Sequence, residues 1–336
     1  MKFIKAALTI LTLILTTLWG VCAVYFGDSF TGITQVSMSI LFGLLGLATL
    51  ISLGLPRWRK HFLLGYSISF VIILTWWLGI NPSNHRKWQT DANKLAYATF
   101  AVDTVTVHNI RNFDYRSELD YQPAYYTKTF DLNKLQGIDL FSIYWMGPAI
   151  AHTIISFDFG GNDHLAVSIE ARKEQGEGYS TIKGFFRQYE LVYFVADERD
   201  VIRLRTNYRH HPLEQAYLYR LQGPIENGRR LFLEYMSKIN GLNQKPEFYN
   251  TLLDNCTTAI WLRTLTNQEH LPFSWKILLS GYLPEYLYES QRLDTRIPFP
   301  ELQQQAHINN LAQAADQSPD FSKRIRAEKL INRETQ

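Results

Sequence analysis

Cysteine is scarce in this chain, with two residues, Cys22 and Cys256, among 336. Two cysteines in such different settings supply neither a disulfide framework nor a CxxC pair. That excludes stapled mini-folds, thiolate metal sites and thioredoxin-like redox motifs. Also missing are an HExxH helix, a tight His/Asp cluster, a GxSxG turn and a Gly-rich phosphate loop. These gaps argue against a metalloprotease, an α/β-hydrolase and a nucleotide-binding enzyme, so no metal and no cofactor is expected. No run of five basic residues occurs and the formal net charge is only +3, so nucleic acid is not an expected partner. No internal repeat is present.

Long apolar stretches are plentiful by contrast. They run over about 3–26, 33–55 and 62–80, each long enough to cross roughly 30 Å of hydrocarbon as a helix. A cleaved signal peptide is the rival reading of the first, but its apolar region would be shorter, about 7–15 residues. Residues 1–82 are therefore expected to form an anchor of three transmembrane helices. Lys2 and Lys5 precede the first stretch, and Arg57, Arg59 and Lys60 fill the second connection, whereas the first connection carries only Asp28. The positive-inside rule then puts the N-terminus in the cytoplasm and everything after Ile80 on the outer side.

Residues 83–100, with Trp88, Leu95, Ala96 and Phe100 loosely at helical spacing, read as a connecting helix. From Ala101 the period changes to alternation with many β-branched residues, and strands follow near 101–108, 125–130 and 139–144. The clearest hairpin joins 152–159 to 164–172 across Gly160-Gly161-Asn162-Asp163, where Gly and Asn supply positive φ. Further strands are expected at 189–195, 201–204 and 217–221, the first two separated by an acidic turn at Asp197 to Asp200. Helices then take over, at 226–240 and from about Asn255 onward. Strands followed by helices point to an α+β domain over 101–272, with a helical and polar extension over 273–336.

Cys22 lies inside an apolar stretch, which leaves Cys256 an unpaired thiol in an exported domain. The thiolate is the reactive form, and its pKa of about 8.5 falls at a helix N-terminus or beside a histidine. Asp254 and Asn255 are both good N-caps, so Cys256 is expected in the first helical turn, where free N–H groups favour the anion and could hold an oxyanion. The competing reading is a small buried residue packing a helix. A thiol nucleophile needs a base, and of the exported histidines only His152 opens an apolar strand. The base needs an orienting acceptor. Glu170 fits if the hairpin turn leaves three residues, whereas a two- or four-residue turn brings Ala171 opposite His152 instead. Arg172 near the same end is a candidate to bind an anionic or carbonyl group of a substrate, or to form a surface ion pair with Glu170.

Three blocks carry a family resemblance: His-Thr-(apolar)-Ser-Phe-x-Phe at 152–159, Ser-Ile-Glu-Ala-Arg at 168–172 followed by Lys-Glu, and Tyr-Asn-x4-Asn-Cys-Thr-Thr at 249–258. With Asn-Ile-Arg-Asn-Phe at 109–113, Glu-Arg-Asp at 198–200 and Leu-Arg-Thr at 204–206, the stretch over roughly 100–270 resembles the bacterial Lnb N-terminal periplasmic domain family. The resemblance implies a circularly permuted, NlpC-like member of the papain-like thiol enzymes, a layout shared with lecithin:retinol acyltransferase. It has an antiparallel sheet and a helix bearing the cysteine. It also implies acyl transfer through a cysteine thioester, with Cys256 as nucleophile, His152 as base and Glu170 as third member. Asn255, Arg172 and Tyr249 are the weaker substrate or oxyanion candidates.

The implied setting is a multi-pass protein of the bacterial inner membrane with a periplasmic C-terminal domain. Its implied partners are a membrane phospholipid and a lipoprotein acceptor. In the family's lipoprotein acyltransferase the periplasmic domain comes first and membrane helices follow, the reverse of the order here, which leaves donor and acceptor open. Two other readings compete. One is a thiol amidase or peptidase acting on cell-wall peptides, and the other is a non-catalytic membrane scaffold. The sequence carries no signal for oligomeric state.

Overall fold

The computed structural model describes residues 2–27, 32–267 and 269–327. The chain divides into two compact units, one comprising 1–83 with 179–190, the other 84–178 with 191–336. In the first unit, α1 (Lys2–Phe26), α2 (Gly32–Ser52) and α3 (Pro56–Leu78) are each long and apolar enough to cross a membrane. Leu13, Phe42 and Tyr66 form the centre of their packing. Tyr66 Oη bonds Thr16 Oγ1 at 2.7 Å and Thr17 Oγ1 at 3.0 Å, which satisfies polar groups that hydrocarbon could not. The third helix starts earlier than expected. Pro56 occupies its N-terminal turn, so Arg57, Arg59 and Lys60 lie in its first turns and not in a loop.

The second unit is built on an eight-stranded mixed sheet. Its strands are β1 (Tyr97–Phe100), β2 (Thr104–Arg111), β5 (Tyr125–Asp131), β6 (Gly137–Tyr144), β7 (Ala151–Asp158), β8 (His164–Arg172), β9 (Glu190–Ala196) and β10 (Gln215–Arg220), in the order β1-β2-β9-β8-β7-β6-β10 with β5 also on β2. A small two-stranded ribbon of β3 (Asp114–Tyr115) and β4 (Tyr121–Gln122) stands apart. The helices are α4 (Glu198–Arg203), α5 (Ile225–Gln244), α6 (Thr258–Thr264), α7 (Trp275–Leu278), α8 (Leu283–Glu289), α9 (Phe299–Ala306), α10 (Asn309–Ala314) and α11 (Phe321–Arg324).

Every residue of β7 is buried, because helices cover both faces of the sheet. On one face Phe157 packs edge-on against Phe232 and Tyr235 of α5. Helix α5 buries Leu231, Phe232, Tyr235, Met236 and Ile239 as one stripe. On the other face Phe141, Ile143, Ile154, Ala166 and Leu218 meet Val201, Ile202, Ile308, Ala312, Phe321 and Ile325. The segment after 273 thus supplies part of the core and is no loose extension.

Two further expectations differ from the structure. Residues 83–100 contain no α-helix. They form a 3-10 turn at Thr90–Ala92 and then β1, with Trp88 bridging to Glu174 and carrying the Arg172 guanidinium on its ring. Val201 and Leu204 are not a strand either. Asp197 caps a helix there by accepting the Arg199 N–H, and the expected acidic turn is that helix's first turn. A short apolar run does not distinguish strand from helix by periodicity.

Candidate active site

The β7–β8 hairpin decides what faces His152. Phe159 N–H bonds the Asp163 carbonyl at 2.8 Å, so the turn proper holds three residues, with Gly160 at φ 94° and Gly161 at φ 63°. The ladder pairs Ile154 with Ser168, and its continuation sets Glu170 across from His152.

The two side chains and Ser168 form a relay. Ser168 Oγ donates to Glu170 Oε1 at 2.7 Å and lies 2.7 Å from His152 Nε2. A hydroxyl that donates to the carboxylate must accept from the ring, so Nε2 carries the proton. His152 Nε2 is itself 3.5 Å from Glu170 Oε1. With Nε2 engaged, Nδ1 is the nitrogen left for the thiol, and Cys256 lies near enough to the His152 ring for each to bias the other's ionisation. The carboxylate is held from behind, since Arg205 Nη2 donates to Glu170 Oε1 at 3.0 Å while its Nη1 pairs with Glu214 at 3.1 Å.

The charges follow from these contacts. Burial pushes the Cys256 thiol up, but the adjoining His152 ring, the Thr153 backbone N–H and the Thr257 hydroxyl outweigh it, and the thiol ends below its ordinary value. Burial and Arg205 work to lower His152, and Cys256 with Glu170 outweigh them, so the imidazole is raised. Burial opposes ionisation of Glu170, yet Arg205 and His152 hold its carboxyl well below the usual range. Both shifts favour a thiolate–imidazolium pair over the neutral pair. The thiolate is lost as pH falls through the lowered thiol value, and the imidazolium as pH rises through the raised histidine value. Alkylation of Cys256 by iodoacetamide should therefore reach its half-maximal rate below the pH expected of a free thiol, and His152→Ala should move that midpoint up. An unchanged midpoint in the variant would mean that the ring does not set the thiol's ionisation.

Cys256 does not lie within a helix. Thr257 is the N-cap of α6, and Cys256 sits two residues before the first helical position, in the turn that enters it. Asn255 builds that turn. Its Oδ1 accepts the N–H groups of Thr257 and Thr258 at 2.8 and 2.9 Å, its Nδ2 bonds Thr251 O, and its own N–H goes to Thr258 Oγ1. The cap is reciprocal, and it occupies the two amides that a helix-start oxyanion hole would have used. The backbone N–H of Cys256 donates to none of the described residues.

The weaker candidates separate from the site. Arg172 binds Ala92 O at 3.0 Å and Asn84 Oδ1 at 2.9 Å and stacks on Trp88, which ties it to the 84–93 segment. Tyr249 is buried in the segment before the turn. Ser168, Arg205 and Thr257 were not singled out in the sequence. The available signal was that Ser168 stands two residues before Glu170 on a strand, and so shares its face.

An apolar cavity of about 420 Å³ has Thr257, the residue after Cys256, in its wall. Ile138, Leu140 and Ile155 of the sheet, Leu231 of α5, Ile260 of α6 and Leu287 of α8 line it, and Arg220, His270 and Arg292 are among its polar lining. Thr257 Oγ1 is fixed by Thr153 Oγ1 at 2.9 Å.

Residues 121–281 match the family model of the Lnb N-terminal periplasmic domain. With three helices long and apolar enough to cross a membrane, the match supports a membrane protein with a periplasmic domain. The match spans β4 through α7, and so takes in Ser168, Arg205 and the Cys256 turn, while α1–α3 and β1–β3 fall outside it. No curated protein and no solved structure matches the chain.

Proposed function

We propose that the periplasmic domain is a cysteine-dependent acyltransferase or acyl hydrolase acting on a membrane lipid, with Cys256 as nucleophile, His152 as base and Glu170 as the carboxylate that orients the ring. The observation that carries this reading is the chain of contacts from His152 through Ser168 to Glu170, closed by Arg205, with the Cys256 thiol lowered by the His152 ring. A histidine-bearing strand ahead of a cysteine-bearing turn is also the order that a permuted papain-like enzyme would have.

The thiolate attacks an ester carbonyl and forms a C–S bond while the carbonyl π electrons move onto oxygen. The Cys256 N–H, which donates to none of the described residues, is the backbone donor offered to that oxyanion. Collapse expels the alkoxide, which takes the proton from the His152 imidazolium and leaves as a lyso-lipid. The thioester is then attacked by an amine, hydroxyl or water whose proton passes to His152, and the thiolate is restored. Glu170 keeps its charge throughout and stabilises the imidazolium. Ser168 and Arg205 are positioning residues.

The apolar cavity favours a lipid over a peptide. Each methylene buried in it contributes about 0.8 kcal/mol. Leu287→Trp should therefore slow turnover of long-chain donors much more than that of short-chain donors. Equal slowing of both would mean that the chain does not enter this cavity. The test of the function itself is reconstitution of the full chain in phospholipid vesicles, followed by measurement of lyso-phospholipid. Peptide release from purified cell wall without lipid turnover would favour the amidase reading instead.

A further inference from the structure

Between β8 and β9 the chain leaves the sheet domain after Gly178 and returns at Leu191, and the excursion 179–190 belongs to the same compact unit as the three apolar helices. We propose that this excursion is a membrane-interface element whose outward side chains, Tyr179, Ile182 and Phe185, insert into the headgroup and upper acyl region of the bilayer.

Two contacts fix its depth. Phe186 stacks on Phe26, the last residue of α1, with ring centroids 5.7 Å apart. Arg187 Nη1 donates to the carbonyls of Trp77, Leu78 and Ile80 at 3.0–3.1 Å, and its guanidinium lies 4.2 Å over the Trp77 ring. These are end-of-helix carbonyls, which a cation satisfies well. Arg187 holds φ at 58° to do this, a conformation that a non-glycine residue keeps only where its surroundings impose it. The excursion is thus pinned to the ends of α1 and α3, where helices leave the hydrocarbon and where Trp and Tyr side chains concentrate.

Side-chain direction supplies the second half of the argument. Phe186, Gln188 and Tyr189 are buried, and Tyr189 Oη accepts the Ser180 N–H. Ile182 and Phe185 are 54 and 40% exposed, and Tyr179, stacked on the outer side of the Tyr189 ring, is 50% exposed. The 3-10 turn Lys183–Phe185 brings Ile182 and Phe185 to one side, since residues three apart eclipse there. An exposed apolar cluster continuous with membrane-spanning helices fits a lipid surface better than water. None of this depends on the chemistry at Cys256.

Labelling the full chain tests it directly. Cys22 and Cys256 are replaced by serine, and an environment-sensitive fluorophore is placed by Ile182→Cys, by Phe185→Cys or, as an aqueous reference, by Leu119→Cys, a position 89% exposed in the sheet domain. In nanodiscs the labels at 182 and 185 should show blue-shifted emission, quenching by lipids carrying a nitroxide near the headgroup, and loss of most of the quenching by aqueous iodide seen at 119. Iodide quenching equal to that at 119 would overturn the proposal. So would shielding from both quenchers, which would mean that protein covers the patch. Two separate label sites guard against one substitution disturbing the turn.

Discussion

Cys256→Ala should abolish lipid turnover, lowering it about 10⁵–10⁶-fold by analogy with removal of a nucleophile that acts as one unit with its base. The protein should stay folded, because Cys256 is half-buried in a turn built by Asn255, whose hydrogen bonds do not involve the thiol. His152→Ala removes general acid–base help and should cost about 10²–10⁴-fold, less than loss of the nucleophile. Both effects are read as lyso-phospholipid formation by reconstituted protein, with circular dichroism as the fold control. Near-normal turnover in Cys256→Ala would remove the thiol from the mechanism.

The second large effect concerns stability. Arg326 is buried beyond α11, and its guanidinium meets Glu198 Oε1 at 2.6 Å and Asp139 Oδ2 at 2.7 Å. Glu198 and Asp139 are themselves 0 and 2% exposed. Arg326→Ala leaves these carboxylates short of a cation in the core, and should destabilise the domain by about 3–5 kcal/mol. Burial alone would raise Glu198, but Arg326, with His164 and Ser156, holds it down to about 2. The depressed value means that its stabilising contribution is complete above the unfolded carboxylate pKa of about 4.3 and is lost as pH falls toward 2. In Arg326→Ala the sign reverses, since protonation relieves an unpaired buried charge, so the deficit should shrink as pH falls below about 5. Urea unfolding monitored at pH 7 and pH 4.5 measures both. A wild-type-like midpoint at pH 7 would show that the last helices do not brace the sheet.

Such a brace was hard to read from sequence. Arg326 lies in a polar segment, and nothing local marks it as the partner of Glu198, 128 residues earlier. The three apolar helices were legible because length and hydropathy suffice, though the start of the third was not, since Pro56 opens a helix as readily as it ends a loop. Cys256 and His152 stood out by setting, one as an unpaired thiol and the other at a strand end. Glu170 depended on one residue of turn length, which only the bond from Phe159 to Asp163 resolves. Arg205 was out of reach for a different reason. It sits in a π-helical turn, Leu204–Tyr208, that follows a segment readable as strand or helix, and its direction is set by Glu170 and Glu214 together.

The account's central claim is that Cys256 carries the acyl group. Intact-mass analysis of the reconstituted protein, quenched in acid during turnover of a phospholipid of known chain, tests it most directly. The account predicts a mass increase equal to one acyl group, released by neutral hydroxylamine, mapped to the Cys256 peptide and absent in Cys256→Ala. Steady lipid turnover with no adduct on Cys256 under single-turnover conditions, or an adduct that persists in Cys256→Ala, would contradict it.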